Sequence, residues 1–107
     1  MTSTPPPKLY SLLKERYPEY MDAVESLGKV AKKQGPLKEK TAQLIQLAAS
    51  VAIRSEGAAH SHTKRALEAG AEKDEIYHTL ILLTSTIGFP NVVAGMSWVD
   101  DVIRGSK

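Results

Sequence analysis

Apolar residues recur along most of the chain at three- and four-residue steps, the spacing that keeps them on one side of an α-helix. Leu9, Leu12 and Leu13 mark a short helix over residues 8–16, ended by Pro18. Met21, Val24, Leu27, Val30 and Ala31 predict a second helix over 19–33, closed by Gly35-Pro36. The third, over 37–54, carries Leu37, Thr41, Leu44, Ala48 and Val51 in register, with Leu47, Ala49, Ala52 and Ile53 spreading the apolar surface beyond one stripe. Ser55 is placed to cap a fourth helix over 55–69, with Glu56 near its positive dipole end and Gly70 closing it. Residues 74–87 predict a fifth helix, again apolar beyond one face at Leu80-Ile81-Leu82-Leu83. Gly88-Phe89-Pro90 breaks the chain, and 91–104 predict a last helix with Val92, Val93, Met96, Trp98, Val99 and Val102 available for packing. No run alternates with period two and no repeat appears, so the fold class is all-α: a helical bundle of about six helices.

A chain of 107 residues makes one domain at most. Residues 1–7, with Pro5-Pro6-Pro7, read as a flexible tail, and 8–107 as a single domain. A domain this small buries only roughly 60–65% of its unfolded surface. Two helices that are apolar nearly all round therefore predict self-association into a homo-oligomer.

Composition narrows the chemistry. Lys and Arg number 14 against 12 Asp and Glu, interspersed, so no basic stripe argues for nucleic acid. The longest apolar stretch, around residues 44–53, is interrupted by Gln46 and Ser50 and is too short to span a membrane. The N-terminus lacks an apolar signal core, so a cytoplasmic protein is expected. There is no cysteine, which excludes disulfides, thiolate metal sites and thiol catalysis by these residues.

The informative segments are Leu37-Lys-Glu-Lys-Thr41, the stretch from Arg54 to Ala71, Asp74-Glu75-Ile76 and Gly88-Phe89-Pro90. Across residues 19–104 the chain resembles the alkylhydroperoxidase D-like (carboxymuconolactone decarboxylase-like) family. That family pairs a Leu-x-x-Lys-Thr helix start with a Cys-x-x-Cys-x-x-x-His site, an Ala-Leu-x-x-Gly-Ala helix end and a Gly-x-Pro break. Placed by this resemblance, His62 falls on the family histidine, Ala58 on the second cysteine and Ser55 on the first. A family glutamate falls on Gln43. The resemblance implies assembly as trimers or hexamers and a peroxidase or antioxidant label. The sequence itself opposes the activity: serine forms no disulfide, alanine offers nothing, and an amide exchanges no proton in this range.

What remains is His62, Ser55 and Gln43 as the candidate catalytic set, with Ala58 marking the second lost cysteine. Ser55 as a nucleophile lacks an acidic group at matching spacing to orient His62, which leaves Glu56 or a residue of a partner subunit to supply one, and Ser55 as helix cap is the simpler reading. His60 and His62 project about 200° apart on a helix and do not share one ion, whereas Glu56 and His60, four apart, make a better two-ligand face. No metal or cofactor is expected. His78 reads as a surface residue, and Tyr77 and Trp98 as packing anchors. Three functions follow: a redox-inactive relative that binds a small molecule, a cofactor-free lyase or decarboxylase acting on a small carboxylated lactone, or a structural or partner-binding oligomer.

Overall fold

The computed structural model describes residues 8–105; the proposed tail, 1–7, lies outside the described residues. The described chain is all-helical and contains no strand. Its elements are α1 (Lys8–Arg16), α2 (Pro18–Lys33), α3 (Glu39–Ala52), α4 (Glu56–Glu68), α5 (Lys73–Ile81), the single turn α6 (Thr84–Ile87) and α7 (Phe89–Gly105). They form two compact units, one ending at Leu37 and one beginning at Lys38.

The first unit is the α1–α2 hairpin. Pro18 sits in the first turn of α2, where its missing N–H would have had no helical partner. The Glu25 carboxylate on α2 accepts from the Tyr10 hydroxyl and pairs with Lys14 at 3.1 Å, which ties α1 to α2. Leu9, Leu27 and Val30 are exposed.

The second unit packs α3, α4, α5 and α7 around one core. Leu47, Val51, Ala59, Ala66, Ile76, Leu80, Val92 and Val99 are its centre. Each fully buried large aliphatic contributes about 1.5–3 kcal/mol relative to exposure. Small residues set the helix spacing. Ala59 and Ala66, seven apart, give α4 a flat buried face. Gly95 lets α7 press onto α3 and α5: a Cβ there would stand 2.7 Å from Val51 Cγ1 and 3.1 Å from Leu80 Cδ2.

Two elements depart from the sequence reading. The helix expected over 74–87 turns at Leu82-Leu83 and resumes as α6. The Leu83 amide bonds back three residues to Leu80, and the Thr84 hydroxyl donates to the Ile81 carbonyl. Local hydroxyl bonding of this kind competes with helix propagation. The break expected over Gly88-Phe89-Pro90 is confined to Gly88 (φ 90), and α7 begins at Phe89. Pro90 fits inside the first turn because the amide it lacks would be orphaned there.

The α3–α4 and α4–α5 connections share one geometry. At the end of α4, the Ala71 amide bonds to the Ala66 carbonyl at 2.9 Å and the Gly70 amide to Leu67 at 3.0 Å. At the end of α3, the Ser55 amide bonds to Ser50 at 2.9 Å and the Arg54 amide to Val51 at 3.0 Å. Both are Schellman endings, which require a left-handed residue. Gly70 supplies it with φ 97, and Arg54 supplies it with φ 58. A side chain in that conformation costs roughly 1–2 kcal/mol.

Candidate functional site

The buried face of α3 carries one large polar side chain, Gln43, with no exposed surface. A buried amide needs partners for its oxygen and its nitrogen. Gln43 Nε2 donates to Glu39 Oε2 at 2.7 Å, one turn earlier on α3. Gln43 Oε1 lies 2.8 Å from Nδ1 of His62 on α4. Three side chains from two helices thus form one chain: Glu39, Gln43, His62.

The chemistry of the donors orders that chain. An ionised carboxylate only accepts, so the Gln43 NH2 group faces Glu39 and its carbonyl faces His62. A carbonyl only accepts, so His62 Nδ1 carries a proton and donates it. In the neutral imidazole the lone pair then resides on Nε2, the nitrogen that takes up a proton.

Residue spacing puts Ser55, Ala58 and His62 on one face of α4, and all three are half-buried. Ser55 occupies the N-cap position, but its hydroxyl makes no capping hydrogen bond. The expectation of a side-chain cap is corrected here. Ser55 also belongs to the end of α3, whose Schellman bond engages its amide and helps fix its backbone. Next to it, the Arg54 guanidinium donates to Asn91 Oδ1 and lies 5.7 Å from the Trp98 ring.

The lack of an acidic orienter for His62 is also corrected, because Glu39 orients it through Gln43. The signal was present: Glu39 precedes Gln43 by four residues, so the two share a helix face. The other histidine turns the opposite way. His60 Nε2 lies 3.3 Å from Asp101 Oδ2 on α7 and 3.7 Å from Glu56 Oε2. Asp101 was beyond sequence reasoning, since nothing local marks a partner 41 residues away. His78 is exposed. Tyr77 and Trp98 are partly buried against the core. The Tyr77 hydroxyl donates to Asp100 at 2.9 Å, and burial together with that carboxylate raises its pKa.

Comparison with known proteins bears on this arrangement. The sequence profile of the carboxymuconolactone decarboxylase family matches residues 18–101, from α2 through most of α7. The chain belongs to the carboxymuconolactone decarboxylase family. A crystal structure of apo-lpg0406, a carboxymuconolactone decarboxylase family protein from Legionella pneumophila, superposes with a TM-score of 0.79. It is 27% identical and the match covers 91% of this chain and 87% of that one. No curated protein matches the sequence. In this member of the family the described residues include no helix long and apolar enough to cross a membrane.

Proposed function

We propose that this chain is a non-redox member of the carboxymuconolactone decarboxylase family, in which His62 is the acid–base group acting on a small carboxylated molecule such as a lactone. The observation that carries this reading is the Glu39–Gln43–His62 hydrogen-bond chain. It holds one tautomer of His62 and directs the basic lone pair to Nε2, the arrangement a proton-transferring histidine needs. Ser55 and Ala58 flank it in place of thiols, and with no cysteine in the chain these residues carry out no thiol peroxidation. Gln46, three residues beyond Gln43 on α3, keeps a buried Oε1 without a hydrogen-bond partner among the described residues, an acceptor suited to a hydroxyl of a ligand. Arg54, adjacent to Ser55, is the cation placed to meet a carboxylate. No cofactor is needed for this chemistry.

The test is a thermal-shift screen against lactones and small dienoic acids, followed by turnover assays on the hits. A hit whose turnover falls about 10²–10⁴-fold in His62→Ala supports acid–base catalysis. Binding that survives without turnover reduces the reading to a small-molecule binder. A silent screen, with His62→Ala altering stability alone, leaves a structural or partner-binding protein. Robust peroxide consumption by the purified chain would overturn the redox-inactive assignment.

The same reading includes a homo-oligomer, trimer or hexamer, in the cytoplasm, with no nucleic-acid or membrane partner. Leu27, Ile53, Leu82 and Phe89 are 69%, 74%, 63% and 65% exposed, and such side chains favour burial between copies. Light scattering on the eluting protein measures the assembly, and a monomer at micromolar concentration would contradict it.

A further inference from the structure

The outward face of α4 holds a second constellation that the proposed acid–base site does not use. The geometry points to a divalent transition-metal site, suited to zinc, formed by Glu56, His60 and Asp101. One ligand atom from each residue lies within 4.8 Å of the others. The His60 side chain is 14% exposed, so its ring is held between the helices, while the Glu56 and Asp101 side chains are 57% and 61% exposed and can adjust.

Both separations from the imidazole nitrogen are close to those of a coordination sphere, and the two carboxylate oxygens lie within 4.8 Å of each other. Zinc–nitrogen and zinc–oxygen bonds of about 2.0–2.1 Å give tetrahedral edges of about 3.3–3.4 Å. The His60 Nε2 to Asp101 Oδ2 separation is 3.3 Å, and that to Glu56 Oε2 is 3.7 Å, a few tenths long on the more adjustable side. Three protein ligands leave a fourth position for water. Charge argues the same way. Two carboxylates face one imidazole, so the group carries a net charge of −2 with His60 neutral and −1 with it protonated. Among the described residues neither carboxylate pairs with another cation. A divalent ion neutralises the cluster. The nitrogen donor favours zinc, cobalt or nickel over calcium and magnesium, which prefer oxygen alone.

The site is a clasp, not a reaction centre. His60 and His62 point about 200° apart, so a metal here lies on the far side of α4 from the Gln43–His62 chain. Glu56 and His60 come from the first two turns of α4 and Asp101 from the last two of α7. A bound ion would pin one helix to the other within the same unit. This inference stands independently of the acid–base reading.

Tag-free full-length protein, stripped with chelator, is titrated with Zn2+ by calorimetry and with Co2+ by visible spectroscopy. The expected result is one saturable site per chain, cobalt d–d bands of tetrahedral or five-coordinate intensity, and a Tm rise of about 5 °C at tenfold excess over Kd. Asp101→Asn and His60→Gln each weaken zinc binding at least about tenfold, and His78→Ala leaves it unchanged. Asp101 is exposed, so that variant folds normally and keeps the test valid if His60→Gln does not. Absence of saturable binding up to millimolar zinc, or affinity unchanged in Asp101→Asn, overturns the site.

Discussion

His60 and His62 stand two residues apart on one helix and meet opposite environments. His62 turns inward to an uncharged amide with no exposed surface, and the 2.8 Å bond to its oxygen fixes which nitrogen holds the proton. His60 turns outward to two exposed carboxylates, which only accept, so its Nε2 carries a proton whether the ring is neutral or charged. The inner ring is held through a buried neutral acceptor, the outer one by two charged acceptors whose own side chains are free to adjust. Helical geometry alone produces the division, because side chains two apart leave the axis in nearly opposite directions. The comparison teaches that the same helix can hold one ring through a buried neutral group and another through exposed charge, a difference that variants can separate.

The largest expected effect breaks the inner chain at its centre. Gln43→Glu sets a second carboxylate against Glu39, whose Oε2 now lies 2.7 Å from the amide nitrogen. Two carboxylates at that distance do not both ionise. The variant should lose about 2–3 kcal/mol at neutral pH, an estimate for an uncompensated buried charge partly relieved by the exposure of Glu39. The introduced carboxyl has a raised folded-state pKa, so the loss is present above its ordinary value and shrinks as pH falls. Glu39→Gln/Gln43→Glu exchanges amide and carboxylate along the same chain and should recover most of the stability. Urea melts across pH measure both. If the single variant matches wild type at neutral pH, the chain does not order His62 as described.

A smaller effect separates the two histidines directly. His62→Ala leaves Gln43 Oε1 buried without that donor, at a cost of about 1–3 kcal/mol. His60→Ala removes only partly exposed ion pairs, worth about 0–1 kcal/mol. Salt sharpens the contrast: high ionic strength should reduce the cost of His60→Ala and leave that of His62→Ala unchanged. Equal costs, or equal salt responses, would show that inner and outer faces do not differ in kind.

Much of this contrast was legible in the sequence. The three- and four-residue periodicity of α3 and α4 follows their burial, that of α2 marks a helix whose apolar residues other than Met21 stay largely exposed, and the six-helix all-α reading agrees with the fold. Gln43 and His62 were singled out by resemblance, and the structure adds the 2.8 Å bond between them. Glu39 is not marked by the resemblance, which places the relay's carboxylate position at Gln43. Helix spacing made the alternative available. Asp101 was not legible at all, since a surface carboxylate on α7 acquires meaning only when α7 packs on α4. The turn at Leu82-Leu83 was hidden by the four consecutive apolar residues around it, which report burial but not backbone direction.

The end of α3 positions the inner face, and Arg54 is its unusual element. Arg54→Gly keeps the left-handed turn and removes the strain of a side chain there, while losing the Asn91 hydrogen bond and the Trp98 contact. Arg54→Ala loses the same contacts and keeps the strain. The glycine variant should therefore be the more stable of the two by about 1 kcal/mol, read as the difference between their urea midpoints at equal slope. Because both lack the guanidinium, both should lose the response to a carboxylated ligand if Arg54 meets it.

The smallest effect tests whether charge on an exposed surface behaves here as it does around His60. The Glu75 carboxylate on α5 accepts from the Glu72 amide at 2.8 Å and from Lys40 of α3 at 3.0 Å. The amide first, and the ammonium after it, hold its carboxyl below the usual carboxylate range. A carboxylate lowered on folding contributes stability that is complete above its unfolded value and is lost as pH falls through the folded one. Tm compared between wild type and Glu75→Gln should thus differ modestly at neutral pH and converge in acid. The backbone bond is insensitive to salt while the Lys40 pair is screened, so part of the difference should persist at high ionic strength. Complete loss of the difference in salt would assign the effect to Lys40 alone and make Glu75 a counterpart of the His60 face, where the partners are exposed charges.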